Sequence, residues 1–163
     1  MDFEECLRAH GPAIWRVVAS YAPAGHERDD LAQEVMLAVW KALPRFRGAS
    51  SARTFLLRVA HNRCLSHAWQ RARRPPGSDS GLVHLADPRP ALDEQLAARE
   101  RAERFLEHLR TLPLGQRQVL TLALEGLTHA EIAEVVGITP ENVAVRLGRA
   151  REVLRRSMGQ EAA

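Results

Sequence analysis

Five arginines, Arg146, Arg149, Arg151, Arg155 and Arg156, fall close together near the end of the chain with only Glu152 among them as an acid. At helical spacing, Val143, Leu147, Ala150 and Leu154 form an apolar row on the opposite side. A helix that sits in the major groove of DNA needs this division: an apolar side to seat it, and guanidinium groups for phosphates and guanine edges. A solvated basic helix would share the charge but not what precedes it. Thr128 and Glu131 have the spacing of a capping box, Gly137-Ile138-Thr139 makes a tight turn, and Thr139 then caps a helix that opens on Pro140. Two helices joined in this way are a helix-turn-helix pattern.

A second chemistry lies between Arg45 and Arg74, where eight arginines and no acids are interleaved with Phe46, Phe55 and Trp69. Guanidinium groups can follow a single-stranded backbone while flat rings receive unstacked bases. Phe55 also suits a core position, and the arginines could simply solubilise a helix. Further upstream, Asp30, Gln33, Glu34 and Leu37 share one helical face, offset from the apolar stripe of Leu31, Val35, Ala38, Val39 and Ala42, and so leave a face for a partner. His61, Cys64 and His67 recur every third residue, but three ligands at that spacing drift around a helix, and no CxxC or second His/Cys pair supports a metal.

These groups are carried by helices, since no run of alternating β-branched residues occurs. The pattern predicts helices over about 3–21, from Asp29 or Asp30 to Leu43, over about 51–73, from near Ala91 to Leu112 through Leu92 and Leu96, over about 115–125 with Leu124 on the apolar side, and two in the helix-turn-helix. Residues 75–90, with four prolines and two glycines, read as a linker between a domain at 1–74 and one at 91–163. The 163 residues carry a net charge of +3, but the charge is segregated. Residues 1–34 hold seven acids against three arginines, whereas 35–78 hold nine bases and no acid. Two basic segments separated by an acidic stretch point to two contacts with a polyanion. No apolar run approaches the roughly 20 residues that span a bilayer, and two cysteines make no disulfide framework, so a cytoplasmic protein is expected.

In series, three blocks resemble the sigma-70 family of RNA polymerase sigma factors, and within it the small extracytoplasmic-function (ECF) group. Asp30-Leu31-Ala32-Gln33-Glu34-Val35 with Trp40-Lys41-Ala42-Leu43 resembles the D-L-x-Q-E-x helix of region 2. Phe46-Arg47-Gly48, Arg53-Thr54-Phe55-Leu56 and Val59-Ala60-His61-Asn62-Arg63 resemble F-R-G, R-T-W-L and I-A-x-N. Leu112-Pro113, Gln116-Arg117, Leu124 to Thr128, Glu131-Ile132-Ala133 and Arg146 to Arg151 resemble region 4.

The resemblance implies an all-α protein of two small helical domains without catalytic activity or cofactor. It directs core polymerase to promoters, under the control of an anti-sigma protein. It assigns polymerase binding to Asp30, Gln33 and Glu34. It places recognition and melting of the −10 element on Asn62, whose amide can donate to and accept from an extruded base, with Phe46, Arg63, Arg71, Arg73 and Arg74 along the strand. Binding of the −35 element falls to Thr139, Asn142, Ala144, Val145, Arg146 and Arg149, and the linker would thread towards the polymerase active centre. The chain departs from the pattern at Ala52, at Phe55 in place of Trp, and at Ala144, Val145 and Gly148 in the recognition helix. Ala and Val can touch thymine methyls but cannot hydrogen-bond base edges, so an altered −35 preference leaning on Arg146 and Arg149 is expected. A conventional duplex-binding regulator is the alternative; it accounts for 127–156 but not for the acid-free segment or the Asp30 face.

Overall fold

The computed structural model describes residues 2–75 and 93–161, and every regular element among them is helical. The chain runs α1 (Phe3–Ala19), α2 (His26–Ala42), a 3-10 turn (Leu43–Arg45), α3 (Ala52–Ala72), α4 (Asp93–Thr111), α5 (Leu114–Leu124), α6 (His129–Val136) and α7 (Pro140–Glu161). Helices α1 to α3 pack on one another, as do α4 to α7, which reproduces the expected two helical halves. The linker and domain boundary expected at 75–90 lie almost wholly outside the described residues. No described helix is long and apolar enough to cross a membrane.

In the first half, Ile14, Val17 and Val18 of α1, Leu31, Val35 and Val39 of α2, and Leu56, Leu57, Ala60 and Cys64 of α3 are buried together. Each large apolar side chain removed from water in this way contributes about 1.5–3 kcal/mol before entropy is counted. Helix α2 starts at His26, earlier than the Asp29 or Asp30 cap expected from sequence. The cause is Gly25, whose φ of 113° turns the chain into the helix so that its carbonyl accepts from Asp29 N. Arg28 is drawn inside by this earlier start, and its Nε donates to the Ala22 carbonyl at 3.0 Å. Helix α3 begins as expected, with the Ser51 hydroxyl accepting from Thr54 N.

In the second half, Val119 and Leu122 of α5, Ile132 of α6, and Val143, Leu147 and Ala150 of α7 form the core under Leu109 and Leu112. The capping box is present in both directions: the Thr128 hydroxyl accepts from Glu131 N, and the Glu131 carboxylate accepts from Thr128 N. Gly137, at φ 78°, ends α6 in the left-handed region and makes the tight turn into α7. Leu96 and Leu124, expected on the apolar side, are about half exposed (49% and 55%) and belong to the surface. For Leu124 the reason is that α5 buries Val119, Leu120 and Leu122, which turns the end of the helix outward.

The halves do not stand apart. Their buried side chains form one apolar cluster, and a belt of ionic contacts surrounds it. Arg16 and Arg53 both bind Glu125, whose side chain is 3% exposed; Arg53 also donates twice to the Glu125 carbonyl oxygen, at 3.0 and 2.7 Å. Arg58 reaches Glu134 at 2.6 Å, Arg28 grips Glu103 with two nitrogens, and Arg110 donates to the Ala19 carbonyl.

Candidate nucleic-acid and polymerase interfaces

Helix α7 presents the two sides expected of a groove-reading helix. Val143, Leu147, Ala150 and Leu154 are buried, while Asn142, Ala144, Val145 and Arg149 are exposed and Thr139 stands exposed ahead of them. The Thr139 hydroxyl accepts from Asn142 N at 3.3 Å, which fixes the start of the helix. Val145 is 50% exposed and offers a methyl surface beside these polar groups. Arg146 is only partly exposed: its guanidinium lies over Gly115 at the start of α5, where a Cβ would come within 2.9 Å of Nη1. Glycine at 115 therefore allows Arg146 to fold back, a pairing between helices that spacing within α7 does not reveal.

Along α3, Asn62 and Trp69 are exposed, and Arg73 and Arg74 continue the exposed edge just beyond the helix. Trp69, half exposed, offers a flat ring about two turns from Asn62. His61, adjacent to Asn62, is buried; burial pushes its imidazole below its ordinary pKa, opposed by Asn62 Oδ1 at 3.4 Å. A neutral His61 thus backs the Asn62 amide. Phe46 is half-buried and packs on Phe55, ring centroids 5.1 Å apart.

Two of the cations expected along the strand are paired with glutamates in the structure. Arg63 binds Glu34 of α2 at 2.6 Å, and Arg71 binds Glu27, which also accepts from His67 at 2.9 Å. Burial would raise the Glu27 pKa, but the His67 and Arg71 hydrogen bonds hold it below the ordinary carboxylate value. The basic segment is free of acids in sequence and not in space, because α2 lies alongside α3 and lends it two glutamates. His67 is committed to Glu27, and Cys64 is buried with its thiol pushed up to about 12, so the His61, Cys64, His67 series does not converge. Among the described residues no group of His, Cys, Asp and Glu is placed to hold a metal ion.

On α2, Asp30, Gln33 and Glu34 are exposed together, and the face continues through Leu37 and Trp40, which are 50% and 57% exposed. Two large apolar side chains next to three polar ones have the composition of a protein-docking face, with an aromatic anchor and a polar rim. Trp40 lay within the sequence motif, but only its exposure marks it as part of the surface.

The Sigma-70 region 2 family matches residues 6–74, and the Sigma-70 region 4 family matches 102–154. The ECF RNA polymerase sigma factor SigC of Mycobacterium tuberculosis (strain CDC 1551 / Oshkosh) is 34% identical over 154 residues, covering 93% of this chain and 80% of SigC. The chain belongs to the ECF group of the sigma-70 family. The ECF RNA polymerase sigma-E factor of Escherichia coli (strain K12) is 29% identical over 151 residues, covering 85% of this sigma factor and 76% of its relative. Among solved structures, CnrH in complex with the cytosolic domain of CnrY matches with a TM-score of 0.69 at 27% identity over 97% of this chain and 88% of that one. The sigma factor RpoE of Bartonella quintana, in complex with the anti-sigma factor NepR, shares the fold with a TM-score of 0.73 at 23% identity, over 97% of both chains. As a sigma factor, the protein binds RNA polymerase and directs promoter-specific transcription initiation.

Proposed function

We propose that residues 1–74 act as the core-binding and −10-melting domain and 91–163 as the −35-binding domain of this sigma factor, which works in the cytoplasm without catalysis of its own. The exposed α2 face, Asp30, Gln33, Glu34, Leu37 and Trp40, is the polymerase contact. Asn62 captures the extruded base, and Trp69, Arg73 and Arg74 continue the path of the strand, with Arg63 and Arg71 joining it when they exchange glutamates for phosphates. Helix α7 reads the −35 duplex through Asn142, Ala144, Val145 and Arg149, with Thr139 at its start and Arg146 swinging off Gly115.

The observation that carries this reading is the exposure of Asn142, Val145 and Arg149 over the buried row Val143, Leu147 and Ala150, together with the separate exposed face of α2. A duplex-binding regulator would need the first and has no use for the second. The two promoter elements are separated by about 25 base pairs, roughly 85 Å at about 3.4 Å per step, whereas the Thr54 hydroxyl of the first half donates to Glu131 of the helix-turn-helix at 2.6 Å. Both elements are engaged only when the halves separate, and the packed arrangement is the resting one. CnrH is bound to CnrY and RpoE to NepR in the matched structures, which supports an anti-sigma partner for this chain as well. Transcription from promoter-bearing genomic templates with reconstituted core polymerase tests the proposal: promoter-dependent transcripts are expected. Tight duplex binding by the chain alone with no such transcripts would favour the regulator.

A further inference from the structure

Where the halves meet, a cleft of about 580 Å³ opens between Tyr21, Pro23, Ala68 and Arg71 on one side and Arg110, Leu114 and Arg117 on the other. Among the described residues none that lines it is acidic. Its volume lies within the range of small-molecule sites. Two buried polar atoms at its walls have no hydrogen-bond partner, the Tyr21 hydroxyl and Arg117 Nε. Tyr21 is 4% exposed, and an unsatisfied hydroxyl at that depth costs about 1–3 kcal/mol. The Arg117 guanidinium lies over the Tyr21 ring, 5.6 Å from its centroid, and donates to the Leu112 carbonyl at 3.2 Å.

The charges around the cleft do not cancel. Arg71 is met by Glu27. Arg110 shares the Glu103 carboxylate with Arg28, and among the described residues Arg117 has no carboxylate partner. Three guanidiniums, Arg28, Arg110 and Arg117, therefore face one carboxylate, leaving two positive charges in excess at a partly desolvated site. Burial pushes the Arg117 guanidinium below its ordinary value, and the neighbouring Arg110 charge adds to the shift.

We propose that this cleft binds a phosphorylated small molecule, its phosphate held by Arg110, Arg117 and the Tyr21 hydroxyl and its body lying against Pro23, Ala68 and Leu114. A phosphate carries close to the two negative charges needed and enough acceptor oxygens for both orphaned donors. An isolated inorganic ion would leave most of the cleft empty. Because both halves furnish the walls, the ligand binds only the packed arrangement and favours it by mass action. Nothing in the sigma-factor reading requires this site, and its failure leaves that reading intact.

Titration calorimetry of the full chain with ATP, inorganic pyrophosphate, adenosine and a 12-nucleotide single-stranded DNA, all without divalent cations, tests the proposal. ATP and pyrophosphate are expected to bind one per chain and adenosine not at all. Arg117→Gln should weaken ATP binding at least about tenfold and Tyr21→Phe, which removes one oxygen atom, about fivefold, with helix content unchanged by circular dichroism. The exposed Arg101→Gln on α4 should leave the affinity alone. Equal weakening by Arg101→Gln would mean diffuse attraction of polyanions and overturn the site. Binding of the DNA with no binding of ATP or pyrophosphate would overturn it too, and assign the charge to nucleic acid.

Discussion

Arg16 holds Glu125 through two parallel hydrogen bonds, Nε to Oε1 at 2.7 Å and an Nη to Oε2 at 2.8 Å, across 109 residues of chain. The carboxylate is buried between the halves, and Arg53 meets it from α3. Replacing Glu125 with Gln keeps the shape and removes the charge that both arginines share. The bonds to a charged group are worth about 1.5–3 kcal/mol, and the exposure of Arg16 (57%) puts the loss near the lower end. Small-angle scattering should then report a larger radius of gyration for Glu125→Gln at unchanged helicity, and DNA should bind more tightly without core polymerase. An unchanged radius would show that the apolar cluster alone keeps the halves together.

Asn62 is exposed on α3 and its Oδ1 meets His61 at the long distance of 3.4 Å, so Asn62→Ala should leave the melting temperature within about 1–2 °C, as surface changes do. Base capture predicts a greater loss in open-complex formation, followed by permanganate reactivity of the −10 thymines, than in closed-complex affinity. Equal losses in the two assays would remove the base-capture role.

On the α2 face, Asp30→Arg and Leu37→Ala should each weaken core polymerase binding about tenfold without unfolding the chain, in a competition assay against the unmodified protein. Glu34→Arg is a harsher change, because Glu34 holds Arg63 and the substitution sets two like charges together. Unaltered core affinity in Asp30→Arg would move the polymerase contact elsewhere.

Acid should loosen the packed arrangement. Hydrogen bonds from Thr54 and Thr128 hold Glu131 below the ordinary carboxylate value; burial would raise Glu103, but the bonds from Arg28 and Arg110 outweigh it and lower it as well. A carboxyl with a depressed folded-state pKa binds protons more readily when unfolded, so the stability it contributes is complete above its ordinary pKa and is lost as pH falls through the folded value. The urea midpoint should therefore fall in two stages, first below about pH 6.5, where buried His61 takes a proton more readily in the unfolded chain, and again below about 4.5, where the carboxylates do. The second stage is the one assigned to Glu131 and Glu103. Glu131→Gln should flatten that fall, and an identical acid limb in the variant would dismiss Glu131 as a contributor.

The capping box offers a purely local test. Thr128→Ala removes the hydroxyl that accepts from Glu131 N and should cost about 1 kcal/mol, read from urea unfolding.

What the sequence made legible was local. Thr128 to Glu131, Gly137 and Pro140 each act within one helical turn, and the structure has them in the expected places. The α2 face was visible as well, because Asp30, Gln33 and Glu34 are offset from the Leu31, Val35, Val39 row by helix geometry alone. Contacts between distant segments were not. The pairing of Arg63 with Glu34, of Arg71 with Glu27 and of Arg53 with Glu125 depends on how helices lie side by side, and no periodicity within one helix encodes it. Likewise Leu124 has the apolar character of a core residue, and only the rotation of α5 against its neighbours turns it to the surface.

Glu131 closes the capping box and accepts from Thr54 with the same carboxylate, but through different oxygens: Oε2 serves Thr128 and Oε1 serves Thr54. Undocking the two halves breaks the second bond and spares the first, so α6 keeps its first turn intact while its neighbour departs. In the proposed activation the DNA-reading helix pair would arrive already assembled, and the work would go into transport of a finished part with no refolding of it.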